Sequence, residues 1–445
     1  MFLYLCYMNL SKLLQKVSGW KLRISHRNFF LILSVGVGIA AGLAAVLLKL
    51  ATHYLEVLLH VFEQGENYKL LIYPVIGILL ATAYTQIFQK GKLGRGISNV
   101  VSNIYKKSSY MEKDKMYSHM ITSSLTVGFG GSMGLEAPIV VTGSALGSNI
   151  AKFFNLDYKE RTLLLACGAA AGISAVFSAP IAGVLFAIEV LLGEFSTVNF
   201  VPLLMSSAIA SVIAQMAYGG HGQIFYIFSQ GWDLRALPFY VILSIITGIY
   251  SLYIMKGIAY SENLLNGVKK PYIKALIGGI TLGIMVFLLP PLYGEGYHTV
   301  QMLLSTEYSK LFDSSILYRF HDSSFALIMF TIAILLVKII ASQLTISSGG
   351  NGGFFAPSLF MGAVLGFLYV YVVKLLGIYN LNEPNFIAVA MAGVMAGVMH
   401  TPLTAIFLIA EVTGGYSLLV PLMIVSSLSF LISKYFNPHS IYVKH

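Results

Sequence analysis

Apolar residues along this chain gather into runs with few charges, at 29–48, 70–88, 136–151, 162–192, 200–217, 238–255, 273–291, 324–346, 354–376, 386–410 and 416–433. A helix needs about 20 residues to cross a bilayer core of about 30 Å. Runs of about 15 residues therefore predict half-spanning or re-entrant helices, and runs of about 30 predict tilted helices or broken pairs. Breaks at membrane depth need a polar reason, because lipid cannot solvate bare backbone N–H and C=O groups. Gly- and Pro-rich interruptions are tolerated only where protein or a wet cavity surrounds them. The pattern predicts an all-α, polytopic membrane protein.

The runs are punctuated twice in the same way. Gly130-Gly131-Ser132-Met133-Gly134-Leu135-Glu136-Ala137-Pro138 and Gly349-Gly350-Asn351-Gly352-Gly353-Phe354-Phe355-Ala356-Pro357 each lead straight into an apolar segment, 219 residues apart (357 − 138). Gly143, Leu146 and Gly147 fall on Gly362, Leu365 and Gly366 at the same offset (366 − 147 = 219). A second stretch, AVFSAPIAGVLFAIEV from Ala175 to Val190, matches GVMHTPLTAIFLIAEV from Gly397 to Val412 at an offset of 222 (402 − 180). That match superimposes Pro180 on Pro402 and Glu189 on Glu411. The chain reads as two diverged copies of one unit, with membrane repeats expected at 29–230 and 231–438, a basic segment at 1–28 before them and a short cytoplasmic tail at 439–445.

Composition agrees with the pattern. The chain is 57% hydrophobic and 10% charged, with 42 glycines, and its mean hydropathy of +0.79 excludes an ordinary soluble domain. A formal net charge of +10 would raise the question of nucleic acid in a soluble protein, but here the charges sit in short loops and no nucleic-acid partner is expected. Lys12, Lys16, Lys21, Arg23 and Arg27 precede the first run, and Lys90, Lys92, Arg95, Lys106, Lys107, Lys113 and Lys115 crowd one loop, which places both on the cytoplasmic side. The opening MFLYLCYMNL lacks the basic flank and small-residue cleavage site of a signal peptide. Cys6 and Cys167 are the only cysteines, so neither a disulfide nor a metal site is expected. No further soluble domain is expected after about 438, and the least hydrophobic stretches, 90–115 and 293–323, read as links.

The chemistry belongs at the joints of the repeats. A Gly-rich turn that opens an apolar helix presents unpaired backbone N–H groups and the positive end of the helix dipole, which together bind anions without a cationic side chain. Two such helix starts facing each other near the bilayer midplane are a transporter solution. The stretches from Gly134 to Pro138 and from Gly353 to Pro357 read as that pair; the plainer alternative, glycines serving helix packing alone, does not require Gly-Gly plus Ala-Pro in both copies. Glu136 is the sharpest single residue. It stands where the sister copy carries Phe355, so its carboxylate could itself occupy an anion site and leave it on protonation; the alternative is a helix cap.

These residues resemble the CLC family of chloride channels and chloride/proton antiporters, in its prokaryotic form without CBS domains. The resemblance runs from about 30 to 443. Gly134-Leu135-Glu136-Ala137-Pro138 looks like the family's G-[KR]-E-G-P gating segment in a variant form. Gly353-Phe354-Phe355-Ala356-Pro357 matches its G-x-F-x-P segment, whose backbone amides ligate chloride. Tyr442 sits where the family has a tyrosine whose hydroxyl touches the central anion. The resemblance implies a homodimer with one pore per subunit and repeats of inverted topology. It also implies an anion site made by Arg95, Gly96, Ile97, Glu136, Ala137, Phe354, Phe355, Ala356 and Tyr442, with Glu136 and Glu189 as gating or proton residues.

Two departures qualify it. The family's first anion segment, G-S-G-I-P, reads here Gly94-Arg95-Gly96-Ile97-Ser98, so Arg95 replaces the serine whose hydroxyl meets the anion. Arg95 either supplies a guanidinium to the inner vestibule or snorkels to the cytoplasmic surface while the N–H groups of Gly96 and Ile97 bind, and the choice among chloride, nitrate and fluoride stays open with it. Val190 occupies the position where the best-known antiporters have their internal proton glutamate. That leaves a channel or uncoupled conductor on one side, and on the other a coupled exchanger whose proton enters through Glu189, Glu194 or water. Repetition of Glu189 as Glu411 favours a structural task for both, such as satisfying N–H groups of a neighbouring helix, and Glu194 reads as a solvated loop charge. Lys338, inside an apolar run, reads as paired or snorkelling, His400 as a cap or packed polar group, and His119 as near the cytoplasmic mouth; Phe355 could narrow the pore.

An enzyme is not expected. There is no H-E-x-x-H zinc motif and no pair of aspartates in apolar helices, and nothing orients a serine toward His400. A cation-coupled transporter of another fold would need acidic or unwound-carbonyl cation sites, whereas Phe355 opposite Glu136 leaves one carboxylate. The reading is anion transport in the inner membrane of a prokaryote, with the antiporter slightly favoured over a channel, chloride as substrate, protons and lipid as partners, and no cofactor.

Overall fold

The structure is a computed structural model and describes residues 25–59, 68–94, 96–193, 197–218, 231–261, 264–306, 308–312, 315, 318–319, 323–414 and 416–442. Arg95, Glu194 and the basic residues before Ser25 lie outside the described residues.

Among the described residues, the α-helices fall into two runs of eight in matching order. The first comprises α1 (His26–Leu58), α2 (Lys69–Gln89), α3 (Gly96–Lys106), α4 (Ser118–Gly128), α5 (Glu136–Phe153), α6 (Tyr158–Phe177), α7 (Pro180–Phe186) and α8 (Thr197–Ala217). The second comprises α9 (Leu237–Ser261), α10 (Pro271–Leu288), α11 (Tyr297–Leu304), α12 (Ser324–Ser347), α13 (Phe355–Leu375), α14 (Glu383–Met399), α15 (Pro402–Val412) and α16 (Leu419–Phe436). Among the described residues, nine helices are long and apolar enough to cross a membrane. The two longest apolar runs of the sequence, 162–192 and 386–410, are broken pairs. Ser178 and His400 end α6 and α14 in the left-handed region, at φ +54° and +59°, and Pro180 and Pro402 open α7 and α15 at the position where a missing N–H costs nothing.

Packing repeats as well. Helix α5 lies along α6 and α13 along α14, while α1 packs on α8 and α9 on α16. Small residues permit the first of these contacts: a Cβ built on Gly143 would stand 2.1 Å from the carbonyl oxygen of Gly168, and one on its counterpart Gly362 would stand 2.6 Å from Cα of Met391. Backbones that approach this closely gain van der Waals contact where no hydrophobic force drives helices together. The two runs meet through α2 against α10 and α7 against α15. Around them, Leu43 and Leu47 on α1, Ile245 and Ile249 on α9, and Ile280 and Ile284 on α10 face outward, as lipid-facing surfaces do.

Beyond Phe186, α7 continues as a π-helical turn, Ala187–Leu192, which carries Glu189. Its carboxylate crosses to the other repeat and accepts from Leu403 N (3.0 Å), Thr404 N (2.8 Å) and Thr404 Oγ1 (2.6 Å), at the start of α15. Glu411 on α15 answers it, accepting from Ile181 N (3.0 Å) and Ala182 N (2.9 Å) at the start of α7. Each short helix thus has its free N-terminal donors satisfied by a glutamate of the other, with the charge at the favourable end of the dipole.

Candidate functional site

Everything at the site follows from how the two Gly-rich turns cross. Gly134 N donates to Gly353 O at 3.0 Å and Gly353 N to Gly134 O at 2.9 Å, an antiparallel bridge between the repeats. Flanking bonds repeat the exchange: Ser132 N donates to Thr345 Oγ1 (3.2 Å) and Asn351 N to Thr126 Oγ1 (3.0 Å). These four residues obey the sequence offset, since 351 − 132 and 345 − 126 both equal 219. Each repeat therefore ties its partner's turn with the same hydroxyl, which is the relation that inverted-topology repeats produce. Glycine is required at the crossing. A Cβ on Gly353 would lie 2.5 Å from Cβ of Ala137, and one on Gly134 would lie 2.6 Å from Cβ of Ala356.

The bridge sets the first turns of α5 and α13 against each other, and α3 joins them. A Cβ built on Gly96, at φ +40°, would be 3.5 Å from Cβ of Ala137. Three helix N-termini converge there, each with unpaired N–H groups. Beside them opens a cavity of about 540 Å³, lined by Gly96, Ile97, Ala137, Phe354, Tyr442 and the loop 349–353, on the same side as the basic loop around Gly91 and Leu93. Tyr442 is buried, and its hydroxyl donates to Met399 Sδ at 3.3 Å. Phe355 and Ala356 are fully buried behind Phe354, and the Phe355 ring packs on Phe177 (5.3 Å between centroids) and Phe186 (6.2 Å).

Glu136 is the first residue of α5 and is fully buried. Oε1 accepts from Tyr297 Oη at 2.5 Å. Oε2 makes no hydrogen bond, and the backbone N–H groups of Glu136 itself and of Ala356 lie near the carboxylate. A Cβ on Gly134 would touch it at 2.1 Å. The carboxylate is thus folded onto the converging helix starts.

A family model described as voltage gated chloride channel matches residues 76–434. The chain belongs to that family, the CLC proteins. It is 28% identical over 335 residues to the voltage-gated ClC-type chloride channel ClcB of Escherichia coli, covering 73% of this chain and 74% of that one. It is 25% identical over 413 residues to the H(+)/Cl(−) exchange transporter ClcA of Vibrio vulnificus, covering 89% and 84%. Its fold matches the crystal structure of a slow cyanobacterial Cl−/H+ antiporter with a TM-score of 0.78, at 20% identity over 94% of this chain and 97% of that one. CLC proteins are integral membrane transporters rather than enzymes, and anion transport is the function of this chain at that level.

Of the CLC site residues expected from the sequence, Gly96, Ile97, Ala137, Phe354 and Tyr442 line one cavity, and Glu136, Phe355 and Ala356 form the turns behind it. Glu189 is engaged with the start of α15 as described. His119 is fully buried, bonded to Leu93 O through Nε2 and to Asn351 Nδ2 through Nδ1 (3.1 and 3.2 Å). His400 is the left-handed cap of α14, its ring edge-on to Phe430 at 5.6 Å.

Sequence reasoning missed Glu295 and Tyr297. Both lie in the short strap Gly294-Glu295-Gly296-Tyr297 that leads into α11, within a stretch read as a link. Glu295 Oε1 accepts from Leu135 N at 3.0 Å, directly before Glu136. Gly296, at φ +85°, lies so close under Phe360 that a Cβ would stand 2.4 Å from the ring. An acidic residue held between two glycines, just after the apolar run that ends in Pro290-Pro291, was the available signal.

Proposed function

We propose that this protein exchanges chloride for protons, with anions held by backbone amides of α3, α5 and α13 and the carboxylate of Glu136 as the protonatable gate. The observation that carries the reading is the placement of Glu136. Its buried carboxylate lies on helix N-termini that would serve an anion equally well, and one oxygen has no hydrogen-bond partner. Ionised, the carboxylate competes with chloride for those amides; protonated, it loses the charge that the helix dipoles stabilise and gives way. Gly96, Ile97, Ala137 and Phe354 to Ala356 bind the anion, and Tyr442 closes the inner side. A homodimer with one pore per subunit goes with this reading.

A second reading rests on Val190, an apolar residue where an internal proton acceptor would stand: the protein would then pass chloride as a channel or uncoupled conductor. Chloride efflux from liposomes holding the purified protein, with external pH recorded at the same time, separates the two. Uphill proton movement tied to chloride efflux is expected of the exchanger. Fast efflux without proton movement would give the protein to the second reading. Replacing chloride by nitrate or fluoride in the same vesicles ranks the anions.

A further inference from the structure

Two residues at equivalent places in the repeats do one task with different chemistry. His119 on α4 and Lys338 on α12 are separated by the repeat offset, 338 − 119 = 219, and both are fully buried. His119 Nε2 donates to Leu93 O at 3.1 Å, in the loop that leads through Gly94 and Gly96 into α3. Lys338 Nζ donates to Leu292 O (3.3 Å) and Gly294 O (3.2 Å), in the strap that leads through Gly294 and Gly296 into α11. Helices α3 and α11 hold the same place in the two runs of eight. Each side chain therefore ties down the glycine turn that opens the third helix of its own repeat.

Such turns need ties. Gly294 and Gly296 stand at φ +55° and +85°, and glycine takes either sign of φ with little preference, so the strap's own backbone does not fix its course. Its neighbours do. Ser132 Oγ also donates to Leu292 O (2.6 Å), Tyr293 Oη donates to Gly128 O (2.8 Å), and the Phe360 ring closes over Gly296. The Lys338 ammonium lies 4.7 Å from the centre of that same ring, so it grips the strap on both sides of Tyr293 and backs the ring that presses on Gly296. A lysine at this depth is costly and is expected to have a task; its hydrogen bonds here are with the strap. Past these ties the strap delivers Glu295 Oε1 to Leu135 N (3.0 Å) and Tyr297 Oη to Glu136 Oε1 (2.5 Å).

We propose that Lys338 is the clasp of this strap, a positioning residue that sets the Tyr297 hydroxyl against the Glu136 carboxylate by holding the carbonyls of Leu292 and Gly294. It acts through backbone and phenol, and the consequence for transport rests on the reading of Glu136 as the gate. Without the clasp the strap loosens, Tyr297 restrains the carboxylate less firmly, and the gate opens more often. A lysine that met the permeating anion itself would do the reverse: its removal would lower flux, with or without the phenol.

The test is a double-variant cycle with two readouts. Chloride efflux from liposomes and hydrogen exchange of backbone amides are measured for wild type, Lys338→Met, Tyr297→Phe and the double variant. Lys338→Met should speed exchange over 292–297 by about tenfold or more and raise efflux at neutral pH by about threefold to tenfold, the scale of one weakened hydrogen bond to a charged group. In the Tyr297→Phe background the same substitution should change efflux by less than about twofold, because the contact it positions is already gone. A merely structural lysine would lower the melting temperature in both backgrounds and leave efflux by the folded protein unchanged. Wild-type exchange over 292–297 in Lys338→Met, or an efflux change of equal size with and without the Tyr297 hydroxyl, would overturn the proposal. Should Lys338→Met fail to fold, Lys338→Gln decides: its amide is one bond too short to keep both carbonyls, so wild-type exchange and efflux in it contradict the clasp. Failure of the gate reading shows separately, as wild-type efflux that does not depend on pH, and exchange alone then decides whether Lys338 holds the strap.

Discussion

The hydroxyl of Tyr297 donates to the carboxylate of Glu136 at 2.5 Å across 161 residues of sequence, joining a strap of the second repeat to the proposed gate of the first. A hydrogen bond to a charged group contributes about 1.5–3 kcal/mol. Tyr297→Phe removes it and leaves the ring packing in place. Chloride efflux at neutral pH should rise about tenfold, because the ionised carboxylate is held less firmly against its competitor. An unchanged efflux rate would mean that this bond does not restrain the gate.

Gly134 leaves no room for a side chain. In Gly134→Ala the new methyl would meet Glu136 Oε2 at 2.1 Å and Cβ of Ala356 at 2.6 Å. Overpacking of this kind costs about 1–3 kcal/mol, and here the movable neighbour is the carboxylate. The variant should fold with a lowered melting temperature in detergent and with weakened dependence of flux on pH. A melting temperature and pH profile matching wild type would contradict the contact.

Glu189 and Glu411 should matter to stability before transport. Glu189→Ala strands two backbone donors and one hydroxyl at α15, and Glu411→Ala strands two donors at α7. Each should destabilise the protein by about 2–4 kcal/mol, seen as a lower midpoint of thermal unfolding. Surviving Glu189→Ala protein should keep its proton-to-chloride ratio. Loss of proton movement with undiminished stability would instead make Glu189 part of the proton route.

Tyr442→Ala opens the inner wall of the cavity and removes the contact with Met399. Anion flux should persist while any proton coupling loosens, measured as protons moved per chloride. Unchanged anion occupancy in this variant would argue against its position beside the bound ion.

Much of this arrangement was legible in the chain, and the reason is local. The breaks at Ser178-Pro180 and His400-Pro402, and the helix starts at Glu136 and Phe355, are written in Gly, Pro and apolar periodicity, which act over a few residues. The offset of 219 carried the pairing of the two turns, because duplicated units tend to meet along their symmetry axis. Glu295 and Tyr297 were not legible. Their contacts link residues about 160 apart, Leu135 to Glu295 and Glu136 to Tyr297, and no repeat partner flags them.

The claim that Glu136 is the protonatable gate is tested most directly by recording chloride efflux and external pH together, in liposomes holding either the wild-type protein or Glu136→Gln, over a range of pH. The account predicts that wild-type vesicles drive protons uphill with a flux that depends on pH, and that Glu136→Gln vesicles still pass chloride but move no protons and show a flat profile. Proton movement and pH dependence surviving intact in Glu136→Gln would contradict it.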